Sequence, residues 1–122
     1  MKAYSQPSAL FHNALGVYSD SIALIRNPEM GARVAQALGR HRAALLKSHG
    51  VVVAAQSVEE AVISAIMLET AAMIQMMVET AGKPAPEFSP EDIEILKQQL
   101  SKPDQFQINF DYLARSSKHA RR

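Results

Sequence analysis

The sequence contains no cysteine and no tryptophan. Without cysteine the chain can form neither a disulfide framework nor a thiolate metal site, and we expect it to work in a reducing cytoplasm. The chain also has no large excess of one charge, because 13 lysines and arginines are balanced by 12 aspartates and glutamates. A net charge of +1 does not indicate a nucleic-acid partner. Residues 1–10 have no apolar core of the kind that marks a signal peptide, so none is expected.

Long apolar runs are scarce, and the exception is the segment 61–78. Its length raises the question of a membrane span, but Glu69 and Gln75 interrupt it. We therefore expect a buried helix of a soluble domain and no membrane partner. Hydrophobic residues make up 48% of the chain, which is enough for a core, whereas charged residues reach only 20%. This low charged share is typical of a chain that hides part of its surface against another polypeptide.

The segment 43–55 organises the chain around a His-Gly pair. Aliphatic and β-branched residues on both sides predict two short strands that meet at His49 and Gly50. Glycine allows a turn or a close approach there, so His49 would stand at the end of a rigid strand. Such an imidazole can hold a metal or a substrate oxygen. The same residues also fit a tight turn with a satisfied, partly buried histidine, and the pattern leaves both interpretations open.

A long helix is predicted to follow this hairpin. Ser57 and Glu60 have the spacing of a capping box, and Gly82 is expected to end the helix in a left-handed conformation. Glu69 falls on the apolar stripe of this helix, where a carboxylate needs a partner. We hypothesise that Glu69 supports the site around His49, directly or through one intervening group. The alternative is a carboxylate at the edge of the stripe that faces water.

Further start signals predict two shorter helices. Asn27 followed by proline starts one that ends at Gly39, and Ser89 followed by proline starts another that reaches about Leu100. The basic run 40–42 fits either a contact with a substrate phosphate or carboxylate or a solvated loop. Apolar and polar residues alternate over 106–112, which fits a final strand or an irregular wrap.

Taken together, these segments resemble the class II aldolase/adducin family. The matching patterns are G-x-x-V-A-x-A-L-G at 31–39, A-A-L-L-K-S-H-G-V-V-V at 43–53, S-V-E-E-A at 57–61 and L-E-x-A-A-x-I-Q at 68–75. The resemblance covers about residues 9–82 and continues more loosely to the end. Ala55 is a departure, because the family usually has glycine there. The resemblance implies a partial class II aldolase-like α/β fold, with a mostly antiparallel sheet flanked by helices, and assembly into tetramers with sites at the subunit boundary.

The resemblance also implies a metal site. Enzymes of this family hold a divalent metal, commonly zinc, with three histidines, and the histidine of the His-Gly pair corresponds to His49. The other two come from an upstream His-x-His motif, which is preceded by a catalytic carboxylate. Neither is present here, because the other histidines, His12, His41 and His119, lack that spacing. We therefore interpret residues 1–122 as the C-terminal part of such a domain, without its N-terminal half, and do not expect this chain alone to bind zinc tightly.

By resemblance the chain is part of a divalent-metal-dependent lyase, an aldolase or a decarboxylase, with aromatic-degradation decarboxylases as a possible subgroup. Its substrate would be a small hydroxy or oxo acid or a sugar phosphate, cleaved through a metal-stabilised enediolate. The alternatives are a non-catalytic, adducin-like assembly module and an inactive truncated fragment. His12 and Tyr112 are candidates for the substrate side, with ordinary surface or packing roles as the alternative. Residues 115–122 are predicted to form a disordered basic tail.

The expected partners are a small-molecule substrate and other polypeptides. By resemblance these are further copies in a homo-oligomer, or the missing N-terminal half. An incomplete sheet exposes unpaired edges and apolar faces. We therefore predict that the isolated chain is not a well-behaved monomer.

Overall fold

In a computed structural model that describes residues 1–119, with side chains to residue 117, helices dominate and surround one small sheet. The elements are α1 (Gln6–Ala9), β1 (Leu15–Tyr18), α2 (Pro28–Leu38), β2 (Ala43–Leu46), β3 (Gly50–Val53), α3 (Val58–Thr80), α4 (Pro90–Leu100) and α5 (Pro103–His119). The predicted α/β class is confirmed in this coarse form.

The sheet has the order β1-β2-β3 and is mixed, which corrects the prediction of a mostly antiparallel sheet. β2 and β3 form the predicted antiparallel hairpin, whereas β1 lies parallel to β2, with Leu15 opposite Ala43 and Tyr18 opposite Leu46. The reason is the crossover through α2, which returns the chain to the end of the sheet where β1 began.

The predicted starts and ends of the helices are confirmed. Asn27, Ser57 and Ser89 each accept a hydrogen bond from the third helical backbone N–H, at 2.8, 3.1 and 3.1 Å. Each bond satisfies an N–H group that has no partner inside its helix. At the other ends, Gly39 and Gly82 take positive φ angles of 54° and 65°, which glycine adopts at little cost.

One face of the sheet is covered by α2. Tyr18, Val34 and Leu46 form its buried cluster, with Ile25, Ala37 and Val52 packed against it. The approach is close at Gly16 on β1, where a Cβ atom would lie 2.1 Å from the carbonyl oxygen of Ala37. Glycine at this position therefore lets α2 rest directly on the strand.

The opposite face is covered at one end by α1 and α3. Leu10, Phe11, Ala43 and Leu68 form this core cluster, and Leu15 and Val53 pack against it. α3 is long and apolar enough to cross a membrane by length and composition. In this fold the helix packs against α1, β3 and α5.

The C-terminal segment differs from the sequence interpretation, because 106–112 forms part of helix α5. Phe106 is buried and Phe110 half-buried, four residues apart on the side of α5 that packs on α3, whereas Ile108 between them is exposed. Residues 115–119 continue α5, so the predicted tail does not begin at 115. The rest of it, 120–122, lies outside the described residues.

Candidate functional site

His49 lies in the tight turn between β2 and β3, as predicted. Its backbone N–H donates to the carbonyl oxygen of Leu46 at 3.0 Å. The turn places Ser48 at φ 56° and Gly50 at φ 157°. The imidazole is exposed, and among residues 1–119 no hydrogen bond or ion pair of the ring is found. The backbone therefore fixes this residue, while its side chain is left available to a further group.

A cavity of about 430 Å³ adjoins this turn between the sheet and α3. It is lined by Gly50, the residue after His49, and by Glu69 in the middle of α3. The other lining residues are apolar: Leu45, Val51, Ala65, Ile66, Leu68 and Ala72. Glu69 is exposed, and its side chain has no hydrogen-bond or ion-pair partner within the described part of the chain. Glu69 and Gly50 thus line one cavity, but His49 is not among its lining residues, and no contact between His49 and Glu69 is found in the described part of the chain.

His12 lies at the other end of the sheet. It precedes Leu15, the first residue of β1, whereas His49 follows Leu46, and the strands between span about 10 Å. Its Nε2 atom lies 3.9 Å from the carboxylate of Glu87, which also accepts a hydrogen bond from the backbone N–H of Ala3 at 2.9 Å. His12 thus lies against Glu87 in the segment between α3 and α4, and the fold does not bring it to His49.

Tyr112 lies on α5 and its side chain is exposed. It does not line the cavity beside His49. A role in a site made by this single chain therefore has no support from its position.

The residues of this chain do not complete a zinc site. In the part that the structure describes, no three histidine, cysteine, aspartate or glutamate side chains lie close enough together to hold a metal ion. A catalytic zinc takes three protein ligands and keeps one open position. His49 can supply one ligand, so a metal centre here needs others from outside the described residues.

Two surface cations, Lys2 and Arg33, have raised pKa values, and neither residue lines the cavity that contains Gly50 and Glu69. The pKa of Lys2 is raised by a hydrogen bond with Tyr4 first, and then by the charge of Glu79 at 3.6 Å. The pKa of Arg33 is raised by its hydrogen bond with Glu29 at 2.7 Å. These pairs are exposed and add little to stability.

Sequence reasoning missed the role of Arg42. Its guanidinium forms an ion pair with Glu60, and both side chains are about four-fifths buried. The same group contacts the hydroxyl of Ser64 at 3.4 Å and lies 5.5 Å from the centroid of the Phe106 ring. Arg42 therefore joins β2 to α3 and α5 rather than standing free for a substrate.

The sequence did contain a hint of this ion pair, namely the Glu60 carboxylate near the start of α3. The capping box assigns its carboxylate to the N–H of Ser57, but it accepts instead from the N–H of Gln56 at 3.1 Å and from Arg42. Arg40 and His41, next to Arg42, are exposed at a separate cavity of about 340 Å³. That cavity lies beyond the end of the sheet opposite to His49, since Arg42 precedes β2 and Ala54 follows β3.

Several curated proteins share sequence with this chain. The Meiotically up-regulated gene 14 protein of Schizosaccharomyces pombe is 32% identical over 74 residues, which are 61% of this chain and 29% of that protein. The 3,4-dihydroxyphthalate decarboxylase of Arthrobacter keyseri is 41% identical over 59 residues, which are 48% of this chain and 24% of the decarboxylase. The matched segments therefore span less than a third of either relative.

The fold is similar to that of the L-fuculose 1-phosphate aldolase from Glaciozyma antarctica PI12, with a TM-score of 0.79 and 19% identity. That match covers 98% of this chain but only 44% of the aldolase. The family model of the Class II Aldolase and Adducin N-terminal domain matches residues 2–76, more than half of the chain. By this match, the chain belongs to the class II aldolase and adducin family.

Proposed function

We propose that this chain is part of a divalent-metal-dependent lyase of the aldolase or decarboxylase type. The proposed substrate is a small hydroxy or oxo acid or a sugar phosphate. The observation that carries the proposal is the exposed, unpartnered His49 imidazole in the β2–β3 turn, directly before Gly50, which lines a cavity together with Glu69. The similarity to a decarboxylase in sequence and to an aldolase in fold supports this reaction class.

His49 would act as a metal ligand. A neutral imidazole is a common ligand of zinc and other divalent metals. Its backbone is held in the turn by the hydrogen bond to Leu46, so little conformational freedom would be lost when the ring binds. We propose zinc as the metal, shared between His49 and ligands of a polypeptide segment that these 122 residues do not contain.

Glu69 would position the site. We propose that its carboxylate accepts a hydrogen bond from the imidazole or from a substrate hydroxyl, and the support is that the cavity it lines also includes Gly50, the residue after His49. Burial by a second polypeptide would strengthen either contact, because the carboxylate would then lose water. Tyr112, exposed on α5, would reach a site only across a subunit boundary.

The assembled protein would be a cytoplasmic homo-oligomer, a tetramer by family resemblance, with no nucleic-acid or membrane partner. The absence of cysteine and the balanced charge support this setting. One observation favours a second candidate, an adducin-like assembly module. Large apolar side chains such as Met73, Met76 and Met77 are exposed along α3, as in a surface that serves association.

The test is zinc affinity in a complex of this chain with the missing segment. That segment is taken from the Arthrobacter keyseri decarboxylase, as the part that precedes its similarity to this chain. His49→Ala should weaken zinc binding about 100-fold or more, because a ligand lost from the metal costs more than the 10–100-fold of a supporting residue. The affinity is measured by competition with a chelator.

His41→Ala is the matched control, because His41 is also exposed but lies beyond the opposite end of the sheet. We expect it to leave zinc affinity unchanged. Equal affinities of the wild-type and His49→Ala complexes would remove His49 from the metal site and leave the assembly module as the better interpretation.

A further inference from the structure

Half of one sheet face is not covered by the chain's own helices. Val17, Leu45 and Val51 stand in register across the three strands, on the face that α1 and α3 cover only at its other end. Their side chains are 62%, 37% and 48% exposed. Apolar residues in register on three adjacent strands are typical of a buried sheet face.

The exposed apolar surface continues onto α3. Ile66 shares the cavity with Leu45 and Val51, and Met73 and Met76 lie further along the exposed face of α3, where Met76 also lines a depression with Leu45. Ile66 is 42% exposed, Met73 52% and Met76 69%. We define the uncovered apolar face as Val17, Leu45, Val51, Ile66, Met73 and Met76.

The sheet edges beside this face are open. β1 and β3 each pair only with β2 among the described residues, so the outer N–H and C=O groups of both strands have no partner strand. Unpaired edges of this kind accept a further strand. An occupant of the uncovered apolar face can therefore satisfy backbone groups and bury apolar side chains at the same time.

We propose that the uncovered apolar face is the docking surface for the part of the class II aldolase fold that this chain does not span. The occupant is a polypeptide segment that adds at least one strand to the sheet and places apolar side chains against α3. Nearly the whole chain aligns with only 44% of the Glaciozyma aldolase, so more than half of such a fold lies outside these residues. The proposal rests on the proposed function, since this segment would also bring the missing metal ligands to His49.

A second copy of this chain fits the face less well. Glu69 lies within it, because the same side chain lines the cavity at Leu45 and the cavity at Met73. A two-fold pairing through this face would bring two Glu69 carboxylates into one apolar interface. Like charges without a cation between them oppose such burial.

The experiment mixes this chain with the upstream segment of the Arthrobacter keyseri decarboxylase in buffer without metal. Complex formation is followed by light scattering after size exclusion, and the affinity by titration. We expect a one-to-one complex that Val51→Lys and Met73→Lys each weaken about 30-fold or more. Ile95→Lys and Ile108→Lys, at equally exposed positions on α4 and α5, should change the affinity less than threefold.

Circular dichroism of each variant checks that the chain stays folded, which is expected because all four positions are exposed. Absence of a complex, or equal weakening by all four substitutions, would overturn the proposal. It would also be overturned if Val51→Lys and Met73→Lys disrupted only self-association. A complex that forms but binds no zinc would refute the proposed function and leave the docking surface standing.

Discussion

His49 is held by its backbone, and this limits what its side chain has to do for the fold. The turn hydrogen bond to Leu46 and the left-handed conformation at Ser48 are independent of the imidazole. The sequence predicted the turn, because a polar Ser-His-Gly step interrupts two aliphatic runs. It could not predict whether the ring is buried, since that depends on how α3 crosses the sheet.

Arg42 shows the opposite case, a residue whose side chain holds elements together. The substitution Arg42→Met keeps most of the aliphatic part of the side chain. It leaves the carboxylate of Glu60 without its cation in a largely buried position. We expect a loss of about 2 kcal/mol in the free energy of unfolding, in the range found for hydrogen bonds to charged groups. Urea unfolding followed by circular dichroism measures this loss.

Arg40→Met is the control for this substitution. Arg40 is exposed, and the structure shows no ion pair of its side chain within residues 1–119. The expected change is within about 0.5 kcal/mol, as for ordinary surface positions. If both substitutions cost the same, the joining role of Arg42 would be wrong.

At the scale of elements, the sequence predicted those features that residues close together in the chain determine. Each of α2, α3 and α4 starts where a side-chain oxygen accepts a hydrogen bond from the backbone N–H three residues further on. The parallel pairing of β1 with β2 has no such signal, because it is fixed by how α2 crosses over. The segment 106–112 is ambiguous for another reason: Phe106, Ile108 and Phe110 fit period two, while Phe106 and Phe110 also fit a helix turn.

The packing of α2 on β1 has a sharp test at Gly16. In Gly16→Ala the new Cβ would clash with the backbone carbonyl of Ala37, which cannot rotate away as a side chain could. The helix must therefore shift from the strand. We expect a loss of about 1–3 kcal/mol, as for other overpacked cores. The midpoint of urea unfolding reports this loss.

Gly31→Ala is the matched glycine substitution. Gly31 lies inside α2, and a Cβ there meets no atom within 4 Å. Alanine should stabilise the helix by about 0.5–1 kcal/mol, because it loses less backbone entropy than glycine. A stabilising Gly16→Ala would show that α2 does not rest on β1 as described.

On the scale of the whole molecule, the chain spans 44% of the aldolase whose fold it shares. Its own helices cover one sheet face and half of the other, and the rest of that face stays apolar and exposed. The sequence indicated hidden surface through its low share of charged residues. It could not locate that surface, because β1 and β2 become neighbours only in the fold. Similarly, the motif indicated His49 as one candidate ligand, and the described residues bring no three candidate metal ligands together.

The most direct measurement is the zinc content of the purified chain and of its complex with the upstream decarboxylase segment, after equilibration in excess zinc and dialysis. A site that needs ligands from both polypeptides retains metal only when both are present. We predict no stoichiometric zinc on the chain alone and one zinc per complex. One tightly held zinc on the chain alone would contradict the division of the site between two segments.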